Sequence, residues 1–350
     1  MVYINYLSKI RNKIGMTEEE LQREIEFNKG RIATKEIPED ATHLVRATRK
    51  QLAIITRLAR ALTLNTSPFE DNEKDYNSMY TTFKIPKRKG GYREICAPNT
   101  ELKELQQKVL KTFTKELRFL PHNAAHGFTK KRNCKTSLQV HQAAGSRWFL
   151  KLDIKDFFPN TTSALLLEAM KHVYPFCLLS VYEKDLIIKV CTREGVTPQG
   201  APTSPMLTNM VMVANDVAIT KYCKEHHLVY TRYADDILIS SKVSFDWETV
   251  QQDIQNILKY YELKTEKTRY GSFNGRNWNL GLMYNNKNQI TVGHKKKQLV
   301  KNMIHNYMTK PECKTYENWY NLIGTVGYCA YIEPEYFKYY LDVLKANKPE

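Results

Sequence analysis

Tyr233-Ala234-Asp235-Asp236 decides how this chain is read. Its two adjacent carboxylates sit between Leu228-Val229-Tyr230 and Ile237-Leu238-Ile239. The flanks are β-branched and aromatic, which predicts two short strands joined by a tight turn at the acids. Burying two like charges at such a tip is costly unless cations neutralise them. A divalent metal is the economical partner, and a solvated Asp-Asp turn is the plain alternative.

Upstream, Trp148-Phe149-Leu150-Lys151-Leu152-Asp153-Ile154 reads as a strand carrying an acid inside an apolar run, where a charge needs a partner. Lys155-Asp156-Phe157-Phe158 follows, and residues 163–172 suit a helix. Thr197-Pro198-Gln199-Gly200-Ala201-Pro202-Thr203-Ser204-Pro205 is a loop whose small residues let a ligand approach the backbone. It leads into a mainly apolar helix over 206–213. Downstream, 247–261 is a helix with Val250, Ile254, Ile257 and Leu258 on its apolar face. Residues 263–268 and 278–285 read as strands.

Further out, residues 1 to about 65 are expected to be helical, with Thr17 and Glu20 forming a capping-type start. Ile54, Leu58, Ala61 and Leu62 share a face, and Ser67-Pro68 ends the run. Residues 80–86 and 92–96 form a hairpin around the basic turn Lys87-Arg88-Lys89-Gly90-Gly91. Its cations suit a triphosphate or a nucleic-acid backbone; an ordinary solvated tip is the alternative. Leu102, Leu105, Val109, Leu110 and Phe113 mark an amphipathic helix. After His294 the chain is helical and basic, with 324–328 and 331–337 expected between helices.

The 350 residues carry a net charge of +16, which suits a polyanionic partner, most commonly nucleic acid. With 42% hydrophobic residues, 22 Tyr and 13 Phe, the chain is a folded globule and not a basic tail. No apolar run approaches membrane-span length, so no membrane partner is expected. The N-terminus lacks a signal-peptide apolar core. The 7 Cys show no paired CxxC spacing, so neither a zinc ribbon nor a disulfide framework is indicated, and a reducing cytoplasm is expected.

Asp153, Asp235 and Asp236 lie at the ends of separate strand segments and can converge on one metal-binding locus. Carboxylates select hard Mg²⁺ or Mn²⁺. Two such ions about 3.5–4 Å apart can activate a 3′-hydroxyl and stabilise leaving pyrophosphate.

The order strand-acid, helix, Gly-rich loop, helix, acid hairpin resembles the βααβ palm of reverse transcriptases. The resemblance runs from about residue 80 to 285. Tyr233-Ala234-Asp235-Asp236 matches the family's Tyr-x-Asp-Asp, residues 152–158 the strand bearing the first ligand, and 198–205 the Pro-Gln-Gly loop. Ile85-Pro86-Lys87 with Arg93 is similar to the fingers hairpin, and Glu266-Lys267-Thr268 and Leu280-Gly281 to the last two blocks.

The resemblance implies an α+β right-hand polymerase fold: fingers, a palm with an antiparallel sheet, and a helical thumb. An N-terminal helical extension would occupy 1–70, fingers and palm 71–290, and an RNA-binding thumb 291–350. It implies RNA-directed DNA polymerisation with two Mg²⁺, for which Mn²⁺ can substitute. Asp153 and Asp235 would be ligands with the Ile154 carbonyl assisting, and Asp236 a less direct one. Lys87, Arg93, Gln199 and Lys267 would serve the incoming nucleotide, and Phe158 would be the gate against a 2′-hydroxyl, with Phe157 in the core. Lys295, Lys296, Lys297 and Lys301 are the candidate RNA contacts. Partners would be a non-coding RNA template, dNTPs and the DNA product, with an effector protein or homo-oligomer left open.

Ala234 and Ala125-His126-Gly127-Phe128 resemble bacterial retron, group II intron and phage-defence enzymes. No maturase or endonuclease extension follows. Of the retron Asn-Ala-x-x-His, only His141 is kept, and Asn279-Leu280-Gly281 replaces Val-Thr-Gly. This favours a defence enzyme outside the retrons, with a retron enzyme as the alternative. Protein-primed or template-independent addition, and an inactive RNA-binding protein on the same fold, complete the readings.

Overall fold

The computed structural model describes residues 39–63, 75–87, 90–273 and 276–349. The expected Thr17 cap, the Ser67-Pro68 stop, and Arg88 and Lys89 of the basic turn lie outside them. The described residues fall into two compact units. One lies within Met1–His122 and Asp156–Asn215, the other within Asn123–Lys155 and Asp216–Glu350.

The first unit opens with α1 (Glu39–Thr63). Its buried stripe is Leu52, Ile55, Leu58 and Leu62, while Ile54 and Ala61 are only half-buried. The hairpin β1 (Tyr80–Pro86) and β2 (Tyr92–Pro98) pairs Ile85 opposite Arg93. Next, α2 (Thr100–Lys111) starts where the Asn99 side chain accepts the Leu102 N–H at 2.9 Å. Leu102, Leu105, Val109 and Phe113 are buried, and Phe113 stacks on Phe176 at 4.2 Å. Buried Gln106 donates to the Tyr80 hydroxyl at 2.7 Å and the Val190 carbonyl at 2.9 Å. Apart from α3, introduced below, the helices that follow are α4 (Ser163–His172), α5 (Val181–Cys191) and the start of α6 (Ser204–Glu225). A reciprocal Ser180–Glu183 capping box begins α5.

The second unit contains α3 (Cys134–Ala143), β3 (Trp148–Asp153), β4 (Val229–Tyr233), β5 (Asp236–Ser241) and α7 (Trp247–Leu258). With β6 (Arg269–Ser272) the strands form an antiparallel sheet in the order β4-β5-β3-β6. Side chains alternate across a strand, so Phe149, Lys151 and Asp153 share one face and Leu150 and Leu152 the other. A small hairpin, β7 (Met283–Tyr284) with β8 (Ile290–Thr291), precedes three helices. These are α8 (His294–Thr309), α9 (Tyr316–Ile332) and α10 (Pro334–Ala346). One core joins Phe149 and Leu238 of the sheet to Trp278, Tyr284, Val300, Ile304, Val326, Phe337 and Leu344.

Three expectations are corrected. Residues 263–268 are not a strand: Leu263 makes one bridge to Ile154, and Thr265–Lys267 then turn as a 3-10 helix. The Lys264 N–H donates to the Asp153 carbonyl at 2.8 Å, which stops the segment at the end of β3. The strand expected over 278–285 shrinks to two residues, because Leu280 and Gly281 take φ of 44° and 93°. Residues 324–328 lie inside α9, since Leu322, Val326, Cys329 and Ile332 make a continuous buried stripe that carries the helix through its glycines. The helix boundary falls instead at Glu333, and Pro334 opens α10.

Candidate active site

β4 and β5 close on the pair Tyr233–Asp236, leaving Ala234 and Asp235 as a two-residue turn. Such hairpin turns need positive φ, and Ala234 supplies 56°. The Asp235 carbonyl accepts the Ile154 N–H at 2.9 Å. In the neighbouring ladder Asp153 stands directly opposite Asp236. The fold therefore gathers all three acids at one end of the central strands.

Like charges directly opposite on a sheet repel. Lysines answer them. The Lys151 ammonium lies 2.8 Å from Asp236, Lys264 3.1 Å from Asp153, and Lys267 3.2 Å from the other Asp153 oxygen. Asp235 takes the residual strain: burial first, then the charges of Asp236 and Asp153, raise its pKa above the usual carboxylate range. Among the described residues no three His, Cys, Asp or Glu side chains are gathered to hold a metal as they stand. The three acids meet at one strand end as expected, and in this arrangement their charges are answered by lysines. The donor set itself is all oxygen and strongly negative, with one carboxylate desolvated among like charges. Such a set fits a hard divalent cation.

Lys87, Arg93, Phe158 and Gln199 belong to the first unit, so their place is described there. Lys87 follows β1 at an exposed turn, its N–H donating to the Gly91 carbonyl at 2.9 Å, and Arg93 is exposed on β2. The Gln199 carbonyl accepts the Cys96 N–H at 2.8 Å. A Cβ on Gly200 would meet the Cys96 carbonyl oxygen at 2.8 Å, so only glycine lets the loop lie this close to β2. The Phe158 carbonyl accepts the Thr197 hydroxyl at 2.6 Å. Phe158 is half-buried beside fully packed Phe157. Lys267, in the second unit, joins Asp153 as described.

Among the C-terminal lysines, Lys295 and Lys301 are exposed and Lys296 is half-buried. Lys297 departs from the expected phosphate contact. Its ammonium pairs with Glu333 at 2.6 Å and lies over the Tyr336 ring, so its charge is already matched inside the helical bundle.

Sequence reasoning gave no role to Lys151, Lys264 and Arg232. Alternation alone places Lys151 on the face of Asp153. Arg232 is a charge inside an apolar strand, the same signal that picked out Asp153.

Residues 85–300 match the family described as Reverse transcriptase (RNA-dependent DNA polymerase). The chain belongs to the reverse transcriptase family. Retron Mx65 reverse transcriptase of Myxococcus xanthus is 31% identical over 272 residues, covering 73% of this chain and 62% of that one. Retron Ec83 reverse transcriptase of Escherichia coli is 26% identical over 272 residues, covering 74% of this chain and 85% of its own. In fold, the chain is similar to apo telomerase from Candida tropicalis at a TM-score of 0.50 and 13% identity, covering 84% of this chain and 63% of that one. The α+β polymerase architecture expected of a reverse transcriptase is thus present, with the four-stranded sheet as its palm. Membership implies dependence on divalent metal in general. Among the described residues no helix is long and apolar enough to cross a membrane.

Proposed function

We propose that this chain is an RNA-directed DNA polymerase that extends a 3′-hydroxyl with deoxynucleotides on an associated RNA. The observation that carries the reading is the register of Asp153 opposite Asp236 with Asp235 in the adjoining turn, inside the family-matched span. Asp153 and Asp235, with the Ile154 carbonyl, would hold Mg²⁺ or Mn²⁺, and Asp236 would remain beside them with Lys151. The bound metal would supply Lewis-acid stabilisation of the attacking and leaving oxygens. Lys264 and Lys267 neutralise Asp153, and their release from it would leave Lys267 a free cation for a triphosphate. The test is primer extension on an RNA template by the purified chain, with each dNTP and with Mg²⁺ or Mn²⁺. No incorporation under any of these conditions would remove the enzymatic reading.

Both bacterial relatives named above are retron enzymes, which favours the retron alternative over the reading outside that group. The retron reading makes the partner one structured RNA and the product RNA-linked DNA, in bacterial anti-phage defence. Sequencing the nucleic acid that copurifies tests it; random cellular RNA would exclude a dedicated partner.

Phe158 is proposed as the sugar gate, because a half-buried ring beside a packed one leaves bulk facing outward. Phe158→Ala is expected to raise ribonucleotide use by about 10-fold or more relative to deoxynucleotide use, of the order of a lost close contact. Single-nucleotide extension measures it, and unchanged selectivity would move the gate elsewhere.

For RNA contact the candidates are the exposed Lys295 and Lys301 with the half-buried Lys296; Tyr316 and Tyr320 form a separate exposed aromatic pair on the following helix. Replacing the three lysines with alanine is expected to lower RNA affinity and to flatten log Kd against log salt by about 2, since each phosphate contact releases roughly one counterion. Lys297→Ala should instead lower the melting temperature, by unpairing Glu333. Equal slopes for the triple variant and the wild type would place the RNA surface elsewhere.

A further inference from the structure

We propose that Arg232, held by Asp216 and Tyr230, is a positioning residue that aims the catalytic turn. The inference rests on reading that turn as the polymerase centre. Arg232 and Asp216 are both fully buried. Nε of Arg232 donates to Oδ1 of Asp216 at 2.8 Å, and Nη2 to Oδ2 at 2.7 Å. The Tyr230 hydroxyl donates to the same Oδ1 at 2.6 Å. Burial, then the Asp216 charge, hold the Tyr230 phenol well above its ordinary pKa, so it stays a donor. Nη1 of Arg232 reaches forward and donates to the Ala234 carbonyl at 2.9 Å.

Ala234 is the left-handed residue of the turn, at φ 56°. A residue with a Cβ holds that conformation only when its surroundings over-determine it. The guanidinium does so through the carbonyl. A second wall stands at the amide. A Cβ on Gly127 would fall 2.5 Å from the Ala234 nitrogen. The segment carrying Gly127 is bonded to β4 on both sides of Arg232's peptide. The Arg232 N–H donates to the Ala124 carbonyl at 2.8 Å, and the His126 N–H to the Arg232 carbonyl at 2.7 Å. Beyond Ala234, the Asp235 carbonyl takes the Ile154 N–H, which fixes the turn to the strand end bearing Asp153.

Energetics favour positioning over stability as the reason for this ion pair. Apolar side chains of similar volume usually serve a buried site as well as a charge pair does, or better. What apolar groups cannot do is grip a carbonyl. The Arg232 fork satisfies Asp216 with two nitrogens while a third reaches the turn, which a lysine cannot reproduce.

The test uses the full chain in two variants. Tyr230→Phe/Asp216→Val/Arg232→Met removes the whole polar cluster and leaves no buried charge unpaired. Arg232→Lys keeps the charge opposite Asp216 and loses the fork; it decides the matter if the triple variant does not fold. For each folded variant, a melting temperature near that of the wild type is expected. kcat should fall by about 100-fold, the cost of a misplacement of order 1 Å. Two readouts do not need turnover. Mn²⁺ affinity, measured by electron paramagnetic resonance without nucleotide, should weaken. Hydrogen exchange at the Ile154 amide should quicken more than at Leu150 in the same strand. A folded variant with wild-type kcat, Mn²⁺ affinity and Ile154 exchange overturns the proposal. If the wild type extends no primer, the polymerase reading fails, and Mn²⁺ affinity with Ile154 exchange still decides the clamp.

Discussion

Asp235→Asn/Asp236→Asn is expected to lose primer extension by about 10³-fold or more, roughly 4 kcal/mol of transition-state stabilisation. The variant should keep its fold and its RNA binding. Asp153 and Asp236 face each other across the ladder, and Asp235 is desolvated between them, so removing two negative charges relieves repulsion. Lys151 loses its charged partner, but the amide oxygen of an asparagine at 236 can still accept from it. The expected pattern is therefore a melting temperature in EDTA close to that of the wild type, with catalysis gone. Extension at the wild-type rate by the purified variant would place the centre elsewhere.

Acid should unfold this protein through two buried histidines. Burial, then the nearby Arg132, lower the His126 pKa to about 4. Burial, then His126, lower that of His141 to about 3. Both His141 nitrogens are engaged, one with Ser240 at 2.5 Å and the other with Thr231 at 2.8 Å. In the unfolded chain each imidazole protonates near pH 6.5. Below that pH the unfolded state binds protons that the native state refuses, so stability rises with pH up to about 6.5 and levels off above it. Acidification from pH 7.5 to 4.5 should cost about 5 kcal/mol, a large share of the ~5–15 kcal/mol that holds a domain together. Urea titrations across that range measure it, and His126→Asn should remove about half of the slope. Stability that stays level between pH 6.5 and 4.5 would mean that water reaches both rings.

The elements proposed to carry the chemistry are those whose local patterns agree with the fold. The Tyr233–Asp236 turn lies between clean strand runs, and the strand ending at Asp153 and the helix Ser163–His172 lie where expected. The departures arise where distant contacts override local pattern. Lys264 and Lys267 look like strand residues, yet a bond to the Asp153 carbonyl turns them back onto its carboxylate. Gly324 and Gly327 look like breakers, yet a buried stripe on either side keeps them helical. Lys297 looks like one of four equal cations until Glu333 claims it. Arg232 discloses its task only beside Asp216, which sits on a helix that no strand pattern predicts.

The core that joins Phe149 and Leu238 to Val300, Ile304, Phe337 and Leu344 makes the last three helices half of a single interior. They are not a cassette. Cutting the chain before His294 would strip the Phe149 and Leu238 side of the central sheet, and foreign helices grafted there would have to reproduce that inner layer side chain by side chain. Among the described residues, outward positions such as Lys295 and Tyr320 lie outside that interior. On the RNA-contact reading proposed above, a change of RNA would be written on the outside of the bundle, while its inside is shared with the sheet.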